Sequence, residues 1–99
     1  MKILGIDPGS TRAGYGLIEK HGRDLKLIKS GLLKISSQDK NVRLLELSKS
    51  FASLLKKQKP DFVAIEKLFF MKNLKTALEV AQSRGALLLI ATSLKIPII

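Results

Sequence analysis

Apolar and polar positions alternate between two rhythms along this chain. Lys2 to Asp7 is a short apolar run, stopped at once by Pro8-Gly9, and predicts a buried strand. Gly14 to Glu19, GYGLIE, predicts a second strand, and Leu25 to Ile35 a third. His21-Gly22-Arg23 forms the turn between them, so the three predict an antiparallel meander. Ser36 to Asn41 is polar and offers helix N-caps in Ser36, Ser37, Asp39 and Asn41. Val42 to Gln58 changes to helical spacing. Leu44, Leu47, Phe51, Leu54 and Leu55 fall on one face, with Arg43, Glu46, Lys49 and Lys56 elsewhere. Pro60 ends that helix.

Phe62 to Glu66, FVAIE, is another short apolar strand that ends in an acid. Asn73 to about Leu94 predicts a second helix. Its Ala86 to Ala91 part is apolar all round, which predicts burial on more than one side, in a core, at a subunit interface, or both. Lys95 to Ile99 reads as the start of a further strand. The order is three strands, helix, strand, helix, strand. It predicts an α/β fold with a mixed sheet flanked by helices, and puts Asp7 and Glu66 at strand ends. A complete domain seldom ends on bare apolar residues. Residues 1–99 therefore read as one incomplete domain, the N-terminal part of something longer.

Composition narrows the class. At 99 residues and 45% hydrophobic, the chain suffices for one small domain. It has no cysteine, which excludes disulfides and thiolate metal sites. No secretory signal is legible, and the apolar runs are far below the ~20 residues of a membrane-spanning helix. The expectation is a soluble, cytoplasmic protein. Lys plus Arg number 18 against 8 acids, a formal charge of +10. Such an excess attracts polyanions, chiefly nucleic acid. A membrane surface is the other polyanion, but no long basic amphipathic helix serves it.

The candidate chemistry lies in the two strand-end acids. If their strands are parallel neighbours, about 4.8 Å apart, both carboxylates stand on one sheet edge. There they can reach a shared cation, and such oxygen ligands suit Mg2+ or Mn2+. Ligand sites favour that edge in α/β sheets. Gly9 lets the backbone turn beside Asp7, and Ser10, Thr11 and Arg12 offer donors to a phosphate. Against this, Asp before Pro-Gly is also a common turn former.

Three stretches resemble one family: ILGIDPGSTRAGYG at Ile3 to Gly16, PDFVAIEKLFF at Pro60 to Phe70, and NLKTALEVAQSRGALL at Asn73 to Leu88. They resemble the RuvC family of Holliday-junction resolvases, in register along the chain. The resemblance implies a ribonuclease H-like fold and a metal-dependent endonuclease. Departures are Ala13, where the family pattern expects Thr, and Ala81 and Ser83, where it expects Gly and Ala.

In the family the site holds four acidic or similar ligands. Asp7 and Glu66 match two of them, and the others lie on a C-terminal helix beyond this chain's last residue. The implied mechanism is two-metal hydrolysis. One ion activates water and the other stabilises the leaving 3′ oxygen, with the two ions ~3.5–4 Å apart. Asp7 would bridge both ions and Glu66 would hold one. A chain without the remaining acids is expected to bind metal weakly and to cut slowly or not at all.

The same resemblance implies a DNA-contacting loop after Glu66. It contains Lys67, Phe69, Phe70, Lys72, Asn73 and Lys75. Phe69 matches the family's junction aromatic, with Phe70 packing on the core. The lysines suit phosphates and a ring suits an unpaired base. Gln82 and Arg84 lie on the second helix, where Arg84 meets phosphate or braces a dimer. Tyr15 is expected to pack, and His21 to be exposed without a catalytic role. Implied partners are a four-way junction, a second copy of the chain and a branch-migration helicase complex.

Other readings remain. One is an inactive DNA-binding or dimerising module of the same family. Another is the actin and sugar-kinase ATPase fold, which opens on a similar Asp-x-Gly-x-Thr loop but needs a second phosphate loop. A short YqgF-like relative is a third.

Overall fold

The computed structural model describes residues 1–9, 12–67 and 74–99. Strands β1 (Lys2–Pro8), β2 (Ala13–His21) and β3 (Asp24–Leu32) lead into helix α1 (Lys40–Gln58). Strand β4 (Phe62–Ile65) and helix α2 (Leu74–Ser93) follow. The four strands form one sheet in the order β3-β2-β1-β4. The meander is antiparallel, and β4 joins β1 in parallel.

Local chemistry explains most boundaries. The β2–β3 turn has Gly22 at φ 61°, which a two-residue hairpin loop favours. Asp39 caps α1, accepting from the Asn41 N–H at 2.9 Å and the Val42 N–H at 3.0 Å. The helix therefore starts at Lys40 rather than Val42. It ends where Lys59 turns left-handed, at φ 48°, and donates its N–H to the Leu55 carbonyl at 2.9 Å.

Strand β3 is shorter than the expected Leu25 to Ile35. Its last partner on β2 is Gly14, opposite Leu32, and only the Leu33 N–H reaches on, to the Ala13 carbonyl at 2.9 Å. Beyond that point β2 has no backbone left to pair. A bulge between Leu17 and Ile18 puts Leu17 opposite Lys29 and Ile18 opposite Leu27, leaving Ile28 over.

Successive strand residues point to opposite faces. Leu4, Ile6, Ala13, Leu17, Val63 and Ile65 point to the helices and are buried with Leu47, Phe51, Leu54, Leu55, Leu87 and Ala91. Leu44, expected on that face of α1, is only half-buried. The opposite parity gives the other sheet face: Gly5, Gly16 and Ala64 in register across three strands, with Asp7 and Gly14 paired beside them.

Within the single chain the apolar part of α2 is covered on one side, so a central core helix buried all round is not what forms, and the interface alternative stays open. Leu87 and Ala91 are buried, whereas Leu89 is exposed on the far side, as are Leu74 and Leu78 in the first turns. The helix packs against the sheet and α1 on one side only. Lys95 to Ile99 begins to pair beside β4, as expected of the start of a further strand. It makes a single parallel bridge, Val63 with Ile98, through Val63 N–H to Pro97 carbonyl at 3.0 Å and Ile99 N–H to Val63 carbonyl at 2.9 Å. Among the described residues, no helix is long and apolar enough to cross a membrane.

Candidate active site

The parallel pairing of β1 with β4 builds the site. Ile6 stands opposite Ile65, so the next residues, Asp7 and Glu66, emerge together at the same ends of neighbouring strands. The Glu66 N–H donates to the Ile6 carbonyl at 3.1 Å, the last hydrogen bond of that ladder. Both acids are exposed, on the sheet face away from the helices. They line an open trough floored by Gly5, Gly14, Gly16 and Ala64. The small floor residues leave space above the carboxylates.

The two carboxyls interact directly. A proton shared with Asp7, then the negative charge of Asp7, raise the Glu66 pKa above its ordinary value; partial desolvation adds to this. Like charges this close repel unless a proton or a cation lies between them. Among the described residues, no group of three or more Asp, Glu, His or Cys could hold a metal. The donor set is thus two hard, exposed oxygen ligands. That set fits a divalent cation such as Mg2+ or Mn2+, with its other positions filled by water or by further ligands.

The turn after Asp7 is tight. The Gly9 N–H donates to the Asp7 carbonyl at 3.1 Å, and a Cβ on Gly9 would collide with the Arg12 carbonyl. Glycine at this position is thus a steric requirement. Arg12 is exposed at the end of this loop, and Ser10 and Thr11 lie outside the described residues. So do Phe69, Phe70, Lys72 and Asn73 of the expected DNA-contacting loop. Lys75 is exposed in the first turn of α2.

Arg84 does something the sequence does not announce. Its Nε donates to the main-chain carbonyl of Glu66 at 3.3 Å, tying α2 to the end of β4. Gln82 is exposed and lines a small cleft between α1 and α2. Tyr15 packs as expected, half-buried against the core with its ring lying over Gly31 of β3. His21 is exposed at the end of β2, with Nε2 3.4 Å from Glu19 Oε1.

A further group was not singled out from the sequence. Lys40 and Glu79 form an ion pair of 3.0 Å between α1 and α2. The Lys40 hydrogen bond, together with the nearby Lys40, Lys75 and Arg43 charges, lowers the Glu79 pKa, and Glu79 raises that of Lys40. Lys40 and Arg43 line the cleft with Gly9, immediately behind the Asp7 turn. The available signal was their position. Two cations in the first turn of a helix oppose its dipole, and within that turn α1 has no acid, the Asp39 carboxylate standing one position earlier at the cap.

Comparison with known proteins identifies the family. The family described as crossover junction endodeoxyribonuclease RuvC matches residues 3–99. A protein of that name from Aliarcobacter butzleri is 47% identical over 87 residues, 88% of this chain and 56% of the relative. One from Petrotoga mobilis is 44% identical over 99 residues, 99% of this chain and 61% of the relative. The solved structure of T. thermophilus RuvC in complex with a Holliday junction substrate superimposes with a TM-score of 0.89 at 29% identity, over 99% of this chain and 61% of that one. The mixed four-strand sheet with two helices is consistent with the expected ribonuclease H-like fold in truncated form. This chain spans about three-fifths of the length of the relatives it matches. With the match running from residue 3 to residue 99, the chain belongs to the RuvC family of crossover junction endodeoxyribonucleases.

Proposed function

We propose that this chain carries part of the active site of a metal-dependent endonuclease that cuts phosphodiesters in four-way junction DNA. One observation carries the reading: parallel strands place Asp7 and Glu66 side by side, close enough for one to raise the pKa of the other. The names and substrate of the matched relatives support the choice of DNA junctions.

A divalent cation bound here, Mg2+ or Mn2+, would activate water and stabilise charge on the leaving oxygen. The protein's own residues prepare for that. Asp7 and Glu66 supply the carboxylates. Gly9 keeps side-chain bulk out of the turn beside them. Arg12 and Lys75 contact phosphates, which positions the strand without reading its sequence. Phe69, Lys72 and Asn73, in the loop after Glu66, engage the junction itself. Arg84 bonds to the main-chain carbonyl of Glu66, next to the site's acid.

A second copy of the chain is the natural partner. Leu74, Leu78 and Leu89 project from one side of α2, and such exposed apolar surface marks interfaces. Two-fold pairing would present two sites to a four-way junction. A branch-migration helicase complex and a cytoplasmic location belong to the same reading.

The second reading, a module that binds DNA without cutting it, is favoured by the donor count, because only two acids converge among the described residues. The family match gives no support to the actin and sugar-kinase reading.

Cleavage of a labelled four-way junction, compared with linear duplex at several Mg2+ concentrations, tests both. The expected result is junction binding with slow cleavage, abolished by Asp7→Asn. Binding with no cleavage at any Mg2+ concentration selects the second reading. Equal affinity for duplex and junction overturns junction specificity, and fast turnover by this chain alone overturns the need for further acids.

A further inference from the structure

We propose that Arg84 is a positioning residue for the Glu66 carboxylate, acting through the Glu66 main chain rather than through DNA. The inference deepens the metal-site reading and rests on it.

Three observations carry it. Glu66 lies one residue beyond β4, where the sheet alone holds it by one hydrogen bond, N–H to the Ile6 carbonyl at 3.1 Å. The carbonyl on the other side of the same residue accepts from Arg84 Nε at 3.3 Å, across 18 residues of sequence. Glu66 is therefore fixed at both of its peptide groups, by β1 on one side and α2 on the other. The third observation is where the guanidinium does not go. Among the described residues Arg84 makes no ion pair with Asp7 or Glu66, and it is not a cause of the raised Glu66 pKa. An arginine salt-bridged to either acid would compete with a bound cation. An arginine bonded to the carbonyl orients the acid and leaves its oxygens available.

The geometry also joins two parts of the molecule. α2 presents the exposed Leu78 and Leu89 on one side and holds Glu66 from another. Displacement of α2 therefore bears on the acid directly through Arg84, in addition to the core packing of α2 on β4. Partners that orient metal ligands behave in this way generally, and losing one weakens metal affinity without removing a ligand.

The test uses the full 99-residue chain, isotope-labelled, with Arg84→Met and Arg84→Lys. Methionine keeps much of the apolar stem and removes the donors; lysine restores a donor. Two quantities are read: hydrogen exchange of the Glu66 amide without metal, and Mn2+ affinity from paramagnetic broadening near Asp7 and Glu66. With Arg84→Met the Glu66 amide should exchange faster and Mn2+ affinity should fall about tenfold, the lower end for loss of an orienting partner. Leu4 and Leu87 amides should keep their protection, and Arg84→Lys should recover part of both losses. Unchanged Glu66 exchange and Mn2+ affinity in Arg84→Met would overturn the proposal. So would loss of protection throughout α2, which would make Arg84 a stabiliser of the fold. If the unaltered chain binds no Mn2+, the metal-site reading fails, and the Glu66 amide alone decides whether Arg84 fixes this residue.

Discussion

Asp7 and Glu66 lie close enough to share a proton, and Asp7 pushes the Glu66 pKa up. They are brought together by the parallel register of Ile6 with Ile65, although 59 positions separate them in the sequence. Two adjacent carboxylates cost the fold something that a bound cation would offset. The predictions start from that relationship.

Glu66 has a folded-state pKa above its ordinary value of 4.5, so the folded chain holds the extra proton more tightly than the unfolded chain. Its contribution to stability is complete below about pH 4.5 and is lost as pH rises through the raised value. Asp7→Asn removes the repulsion. At pH 7 without divalent ions it should melt at a higher temperature than the unaltered chain, and the difference should vanish at low pH. Added Mg2+ should raise the melting temperature of the unaltered chain only. A lower melting temperature for Asp7→Asn at pH 7 would contradict the account.

Glu46 behaves in the opposite sense. Its carboxylate accepts from the Ser37 N–H at 2.8 Å and from the Ser36 hydroxyl at 3.1 Å, binding the loop before α1. The Ser37 N–H is the main cause of its lowered pKa. Stability from this group is present above about pH 4.5 and is lost as pH falls through the lowered folded value. Glu46→Gln should flatten the acid limb of a pH–stability curve, measured by circular dichroism. An unchanged acid limb would remove Glu46 from the explanation.

Gly9→Ala tests the turn. The added Cβ meets main chain, the Arg12 carbonyl, which has no rotamer by which to escape. Forced overpacking of this kind costs roughly 1–3 kcal/mol. Denaturant melts should show that loss, and Asp7 should lose Mn2+ affinity in the same variant. A variant as stable as the parent would show that the loop accommodates a side chain.

Phe51→Ala tests the core. Phe51 is fully buried at the centre of α1's inner face. Phe to Ala in a core costs about 3–5 kcal/mol, a large share of the ~5–15 kcal/mol that stabilises a domain. The variant should be partly or wholly unfolded at 37 °C by near-UV circular dichroism. Native-like melting would mean that α1 contributes little to the core.

The sequence by itself determined the local elements. Apolar runs interrupted by Pro-Gly, a Gly-Arg turn, a polar stretch of candidate caps before α1 and Pro60 after it are all short-range physics. Each acts within a few residues, so it survives in a linear reading. The acids at the ends of ILGI and FVAI were legible for the same reason, and their pairing followed once the strands were taken as parallel. Tertiary structure decided the rest. The length of β3 depends on where β2 runs out of partners. The one-sided burial of α2 depends on the sheet and α1 covering one flank, whereas Ala86 to Ala91 is apolar on every flank. The Lys40–Glu79 ion pair and the Arg84 bond to Glu66 join residues 39 and 18 positions apart. Periodicity encodes which side of an element is apolar, but not what stands opposite it. Contacts of that kind exist only after the chain has folded.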